Sequence, residues 1–197
     1  MTAPVETRRA GRPRNEDTTA TVLEAARDLL RHDGYSQLSI ERVAARAGVA
    51  KTAIYRRWDS KELLVADALA AAEAPLVDPD TGEVERDLVV ILTKVWVDRG
   101  EARRVLAVQV LAEARGNPTL AAAIRDRVVS PRRAIVQRAL RRGVERGEIA
   151  EDVDLELASD LLAGPFIKRL LLDDGAAAPR GLPAKIVRLV LQGLAPR

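Results

Sequence analysis

The sequence has no cysteine and a single histidine, His32. Without a thiol there is no disulfide and no thiolate to serve as nucleophile or soft metal ligand. With one imidazole, the Ser–His and Cys–His groupings of nucleophilic catalysis lack their usual base. Neither a Gly-rich phosphate loop nor a metal-ligand spacing is present. Asp152 and Asp154, and Asp173 with Asp174, are carboxylate pairs, but each falls at an expected helix boundary, where acidic residues are common. The reading is therefore not an enzyme, with no cofactor and no metal. Aromatic residues make up 3% of the chain, and β-branched runs are short, which speaks against sheets. No stretch of about 18 uncharged apolar residues occurs, so no membrane span is expected. The basic N-terminus lacks the apolar segment of an export signal, and a cytoplasmic location is expected.

What is present is helical material. Ala, Leu, Arg and Glu dominate, 47% of the residues are hydrophobic and 31% are charged. The 197 residues allow a small domain fused to a larger one. Charge is uneven: residues 1–61 hold 12 Lys/Arg against 8 Asp/Glu, and the remainder 20 against 21. A basic segment on a near-neutral body suits a tethered anion-binding module.

The pattern predicts an all-α chain of about nine to ten helices. Residues 1–15, polar and containing Pro4 and Pro13, read as a flexible basic arm. A first helix is expected over Thr18–His32, where Val22, Leu23, Ala26, Leu29 and Leu30 form one stripe. Ser39 is a good N-cap for Ile40–Ala47, Gly48 makes a tight turn, and a third helix covers Lys51–Trp58. Asp59 or Ser60 caps a fourth helix to Glu73, with Asp59 and Glu62 in capping-box order. Pro75–Val84 is a loop. Beyond it helices are expected over 85–99, 102–114, 118–129, 131–146, 155–172 and 182–194. The breaks include Ser130-Pro131, and Gly164-Pro165 implies a kink. Three regions follow: the arm 1–15, a head 16–76, and a body 77–197.

Ser39–Trp58 has the layout of a helix-turn-helix, whose second helix enters the DNA major groove. Ala44 and Gly48 are small where the helices cross, and Val43, Ala47, Val49 and Ile54 lock them. Lys51, Thr52, Tyr55, Arg56 and Arg57 are left outward, a set of donors and cations suited to phosphates and base edges. Val49 to Lys61 (VAKTAIYRRWDSK), with the lead-in Leu38 to Gly48 (LSIERVAARAG), resembles the signature of TetR-family regulators over about Asp17–Leu69. The resemblance implies an N-terminal three-helix DNA-binding domain joined to a larger α-helical ligand-binding and dimerisation domain. It implies that Tyr55, Lys61 and Ser39 hold DNA phosphates, and that Lys51, Thr52, Ala53, Arg56 and Arg57 face the groove. Lys61 also lies in the first turn of a helix, whose amides favour an anion. Ala50 departs from the family's usual Ser, leaving the recognition helix uncapped. Arg12 and Arg14 of the arm either enter a narrow minor groove or attract DNA without regard to sequence.

The expected function is a DNA-binding transcriptional regulator, a repressor released from its operator by a small-molecule effector. A DNA-binding protein without effector, or an activator of the same fold, is the alternative. The partners are double-stranded operator DNA, a second copy through the two C-terminal helices, and an unknown small molecule. Those helices are apolar on more than one face, so a partner subunit can cover one side. Trp96, Gln109 and Phe166 are the candidate ligand-binding residues of an apolar cavity. The Arg-rich run from Arg125 to Arg146 reads as a solvated helical face.

Overall fold

The computed structural model describes residues 14–73, 75–97, 101–172, 179 and 181–195, without the side chains of 14–17, 96, 97 and 101–103. Among these residues there are ten α-helices and no strand. They are α1 (Arg14–Gln37), α2 (Ile40–Ala47), α3 (Lys51–Tyr55), α4 (Lys61–Ala72) and α5 (Val84–Leu92). There follow α6 (Glu101–Ala114), α7 (Pro118–Ile124), α8 (Ser130–Glu145), α9 (Leu155–Leu172) and α10 (Leu182–Leu194).

Helix α1 begins at Arg14, four residues before the expected start, so Arg14 belongs to the helix and not to the arm. Gly34 breaks the helical path at φ 77°, and Tyr35 turns inward behind it. The predicted break at Ser130-Pro131 is absent. A five-residue π-helical turn, Arg125–Val129, leads directly into α8, and Ser130 keeps helical angles. The wider turn accommodates a proline that has no N–H to donate. Helix α9 likewise runs through Gly164-Pro165 without ending.

Two cores form. The first joins α1–α4 to α6 and α7, with Leu30, Val43, Ile54, Leu64, Val65, Val110 and Leu120 at its centre. The second joins α5, α8, α9 and α10 around Leu88, Ile91, Leu140, Leu162, Phe166 and Val187. The head's core therefore includes body helices. Helix α4 shows why: Leu64, Val65, Ala66, Ala68 and Leu69 are all buried, more than one stripe can cover, so it packs on several sides at once.

The arginine run is not simply a solvated face. Arg138 Nε reaches Asp78 Oδ2 at 2.6 Å, and Arg142 Nη2 reaches Asp78 Oδ1 at 3.1 Å and the Pro79 carbonyl at 2.6 Å. Arg142 also faces Asp87, whose side chain is fully buried and accepts from the Thr81 amide at 2.9 Å and its hydroxyl at 2.8 Å. These arginines pin the 78–83 loop onto α8. The Glu148 carboxylate accepts the Val84 amide at the start of α5, and the Leu194 carbonyl at the end of α10 accepts from Ala150. Both helix ends are thereby satisfied from outside their own turns.

Gly143 is where α8 meets α5: a Cβ there would lie 2.9 Å from Val84 Cγ2 and 3.0 Å from Ile149 Cδ1. Gly143→Val is expected to destabilise the protein by about 1–3 kcal/mol through overpacking. Chemical denaturation would show this as a lower midpoint, and an unchanged midpoint would contradict the close approach.

Candidate nucleic-acid interface and the cavity behind it

The turn between α2 and α3 is built by backbone bonds. Gly48 takes the left-handed conformation, φ 65° and ψ 32°, which a glycine adopts without steric penalty. Its amide donates to Ala45 O at 3.3 Å, and the Val49 amide donates to Ala44 O at 3.0 Å, the two bonds of a Schellman end. Ser39 caps the other end of α2, its Oγ accepting from the Arg42 amide at 3.3 Å. Val43, Ala44 and Ile54 are buried, so the angle between the helices is held by packing. Trp58 is also buried, and its indole donates to Asp67 Oδ2 at 2.8 Å, which fixes the chain as it leaves α3.

This arrangement turns one set of side chains outward. Lys51, Thr52, Tyr55 and Arg56 are exposed, and Ala53 and Arg57 are partly so. Tyr55 is 49% exposed, unusual for a large ring and suited to a partner's surface. Lys51 Nζ is 3.2 Å from Glu41 Oε1, across the turn. Helix α3 ends at Tyr55, three residues before the expected end, and Arg56 and Arg57 lie in the following turn. Ala50 occupies the N-cap position with extended angles and no side-chain bond to α3. Of the arm residues, Arg12 lies outside the described residues, as does the side chain of Arg14.

Lys61 is more constrained than its sequence position suggests. Its Nζ donates to the Tyr35 carbonyl at 2.6 Å and lies 3.9 Å from the centre of the Tyr35 ring. Burial lowers its pKa from the ordinary lysine value, against the pull of Glu62 and Glu113. The Tyr35 hydroxyl donates to Glu62 Oε1 at 2.8 Å and accepts from Asn117 Nδ2 at 3.1 Å. Burial and the Glu62 carboxylate push the phenol's pKa up. Burial alone would raise the Glu62 carboxyl, but hydrogen bonds from Tyr35, its own backbone and Asn117 outweigh it and hold the pKa below the ordinary value. Asn117 also caps α7, accepting from the Leu120 amide at 3.0 Å.

Tyr35, Glu62 and Asn117 were not among the predicted site residues. An Asn directly before Pro118 is a helix-start signal, but its side-chain amide reaches across 55 positions to Glu62, which no local pattern reveals. Ser60, not Asp59, caps α4, with Oγ accepting from the Leu63 amide, so Glu62 is free of a capping box and faces Tyr35.

Behind the head lies a cavity of about 750 Å³, within the range of small-molecule sites. Helices α4, α5, α6, α8 and α9 wall it. Gln109 and Phe166 do not line it. On α6 the wall is made by Ala107, Val108, Leu111 and Ala112, with Arg115 just past its end, and at 100° per residue Gln109 points elsewhere. Phe166 belongs to the second core, among α5, α8 and α10. The side chain of Trp96 lies outside the described residues. Sequence periodicity finds an apolar face but not which of two neighbours fills it.

Comparison with known proteins bears on this arrangement. Residues 22–68 match the family described as bacterial regulatory proteins, tetR family, and residues 78–190 match the tetracyclin repressor-like C-terminal domain. The chain is similar to the uncharacterized HTH-type transcriptional regulator YdeS of Bacillus subtilis, 33% identical over 163 residues that cover 82% of each chain. It is similar to the DNA-binding transcriptional repressor TetR of Mycobacteroides abscessus, 34% identical over 161 residues, 81% of this chain and 85% of that one. Its fold matches the crystal structure of the TetR family transcription regulator SCO0332 with TM-score 0.66 and 31% identity, covering 91% of this chain and 100% of that chain. Among the described residues no helix is long and apolar enough to cross a membrane.

The uncapped start of α3 is directly testable. Ala50→Ser is expected to stabilise the protein by about 1 kcal/mol, because Ser can satisfy an orphan amide in the first turn. Thermal melting checks it, and no gain would mean that the amide already has a partner.

Proposed function

The chain belongs to the tetR family of bacterial regulatory proteins, DNA-binding transcriptional regulators, and we propose that it is a dimeric repressor whose operator affinity a cavity ligand controls. The observation that carries the reading is helix α4. Lys61 stands at its first turn, six residues after the end of α3, and Leu69 and Glu73 at its other end line the cavity. Twelve residues span about 18 Å, so one rigid element reaches from the DNA-facing surface to the ligand space.

On the DNA side, Tyr55, Lys61 and Ser39 are assigned to phosphates, and Lys51, Thr52, Ala53, Arg56 and Arg57 to the groove. Arg12 and Arg14 are assigned to DNA as well, in a narrow minor groove or by attraction without regard to sequence. One N–H of Lys61 is held by the Tyr35 carbonyl, which aims the ammonium and leaves two donors for a phosphate. In the body, residues 77–197, α9 and α10 carry the second-copy interface. Leu157, Leu161 and Leu172 recur along α9 at 56%, 51% and 74% exposure, and Leu189 of α10 is 71% exposed. Exposed leucines on two helices that pack together suit an isologous four-helix contact. Two heads related by a two-fold axis then meet half-sites a whole number of turns apart, about 34 Å each.

Release follows from linkage. A ligand that prefers one setting of α4 changes where the heads lie, and both half-sites no longer fit together. Asn117 couples the same movement to α7, because its amide contacts Tyr35 and Glu62 while its carbonyl oxygen caps the helix.

The test is duplex binding across a salt series. Log affinity should fall linearly with log salt concentration, and Lys61→Ala should reduce the slope by about 0.9 for one lost phosphate contact, on every duplex alike. Tyr55→Ala should weaken binding to all duplexes. Absence of salt-sensitive binding to any double-stranded fragment would refute the interface.

A further inference from the structure

The cavity wall is not uniformly apolar: Glu73, Arg115 and Asp160 line it as well as two arginines of α8. Most of its wall is aliphatic, including Leu69, Ile91, Leu92, Val108, Leu111 and Val136. Helix α8 adds two adjacent guanidinium groups, Arg132 and Arg133, and they differ in what surrounds them. Arg133 is paired with carboxylates, although its Nε is buried without a hydrogen-bond partner among the described residues: Nη2 lies 3.2 Å from Asp160 Oδ1 and 4.0 Å from Glu156 Oε2, and donates to the Glu156 carbonyl at 3.2 Å. Arg132 makes a single hydrogen bond among the described residues, Nη1 to the Val128 carbonyl at 2.7 Å. That contact, one helical turn back, anchors the group and leaves its other N–H donors available. No carboxylate among the described residues lies within ion-pair distance of it.

Burial lowers the pKa of Arg132 from the ordinary value, and the attraction of Glu73 offsets this only in part. The guanidinium is thus a partly desolvated cation whose charge is incompletely balanced. A neutral apolar guest would leave that imbalance in place, and a cationic guest would worsen it. A carboxylate would balance it, because the planar fork of Arg donates to two carboxylate oxygens in parallel.

We infer that the cavity takes an amphipathic organic acid, its carboxylate held by Arg132 and its apolar body laid along the wall of α5, α6 and α9. The inference rests on the effector reading above and narrows it to a ligand class. It also names the point of leverage. Glu73 directly follows the last residue of α4, so an anion arriving at Arg132 repels the carboxylate at the end of the helix that carries Lys61 at its start.

The probes are dodecanoate, dodecan-1-ol and dodecyltrimethylammonium, each titrated into the full-length protein below its micelle concentration and followed by calorimetry. Dodecanoate is expected to bind once per chain, about tenfold or more tighter than the alcohol, with the ammonium weakest. Arg132→Met should erase the advantage of the acid, and Arg132→Lys, which keeps the charge, should restore part of it. Wild-type protein alone already decides the ranking if either variant fails to fold. Equal or tighter binding of the alcohol or the ammonium, no binding of dodecanoate, or an acid preference that survives Arg132→Met would overturn the inference. If the alcohol binds once per chain and shifts duplex affinity while the acid holds no advantage, effector control stands and the acid class falls. If the acid preference is present but duplex affinity is unmoved by the bound acid, the acid class stands and effector control falls.

Discussion

Helix α4 is buried on more than one side, and no single layer of neighbours can cover it. Leu64, Val65, Ala66, Ala68 and Leu69 all leave solvent, and α1, α6 and α7 supply the surfaces that receive them. Leaving any of these faces wet would expose several aliphatic side chains, each worth roughly 1.5–3 kcal/mol when fully buried. The head therefore does not close its core alone. Its geometry depends on where the body helices put α6 and α7.

The polar contacts reinforce the same joint. Tyr35 offers its carbonyl and ring face to Lys61, and its hydroxyl to Glu62 and Asn117. One side chain thus touches Lys61 and Glu62 in the first turn of α4 and the Asn117 cap of α7. In a partly buried setting such bonds are costly to leave unmade, so they move together. The arginines of α8 do different work. Arg138 and Arg142 fasten the loop before α5, while Arg132, about two and three turns earlier on the same helix, faces the cavity.

Much of the head was legible in the sequence because its signals are local. Ser39, Gly48 and Ser60 mark caps and a turn whose chemistry depends only on adjacent backbone, and Ile54 and Trp58 mark a buried face by spacing. The outward set from Lys51 to Arg57 follows from that register. What escaped is what depends on distant partners. Nothing near Asn117 shows that it meets Tyr35, 82 positions away. Pro131 reads as a break because proline ends most helices, but a π-helical turn ahead of it absorbs the missing donor. Gln109 stood out as polar among aliphatic neighbours, yet the phase of α6 turns Val108 and Leu111 to the cavity in its place.

The claim that the head's core extends onto the body helices α6 and α7 can be tested by unfolding. Trp58 is buried in the head, and in a Trp96→Phe variant it is the one indole left in the chain. Its fluorescence then reports the head alone, while far-UV circular dichroism reports all the helices. The two should give coincident transitions with a single midpoint. A Trp58 transition at clearly lower denaturant, with most helical signal retained, would show that the head unfolds without the body and would contradict the account.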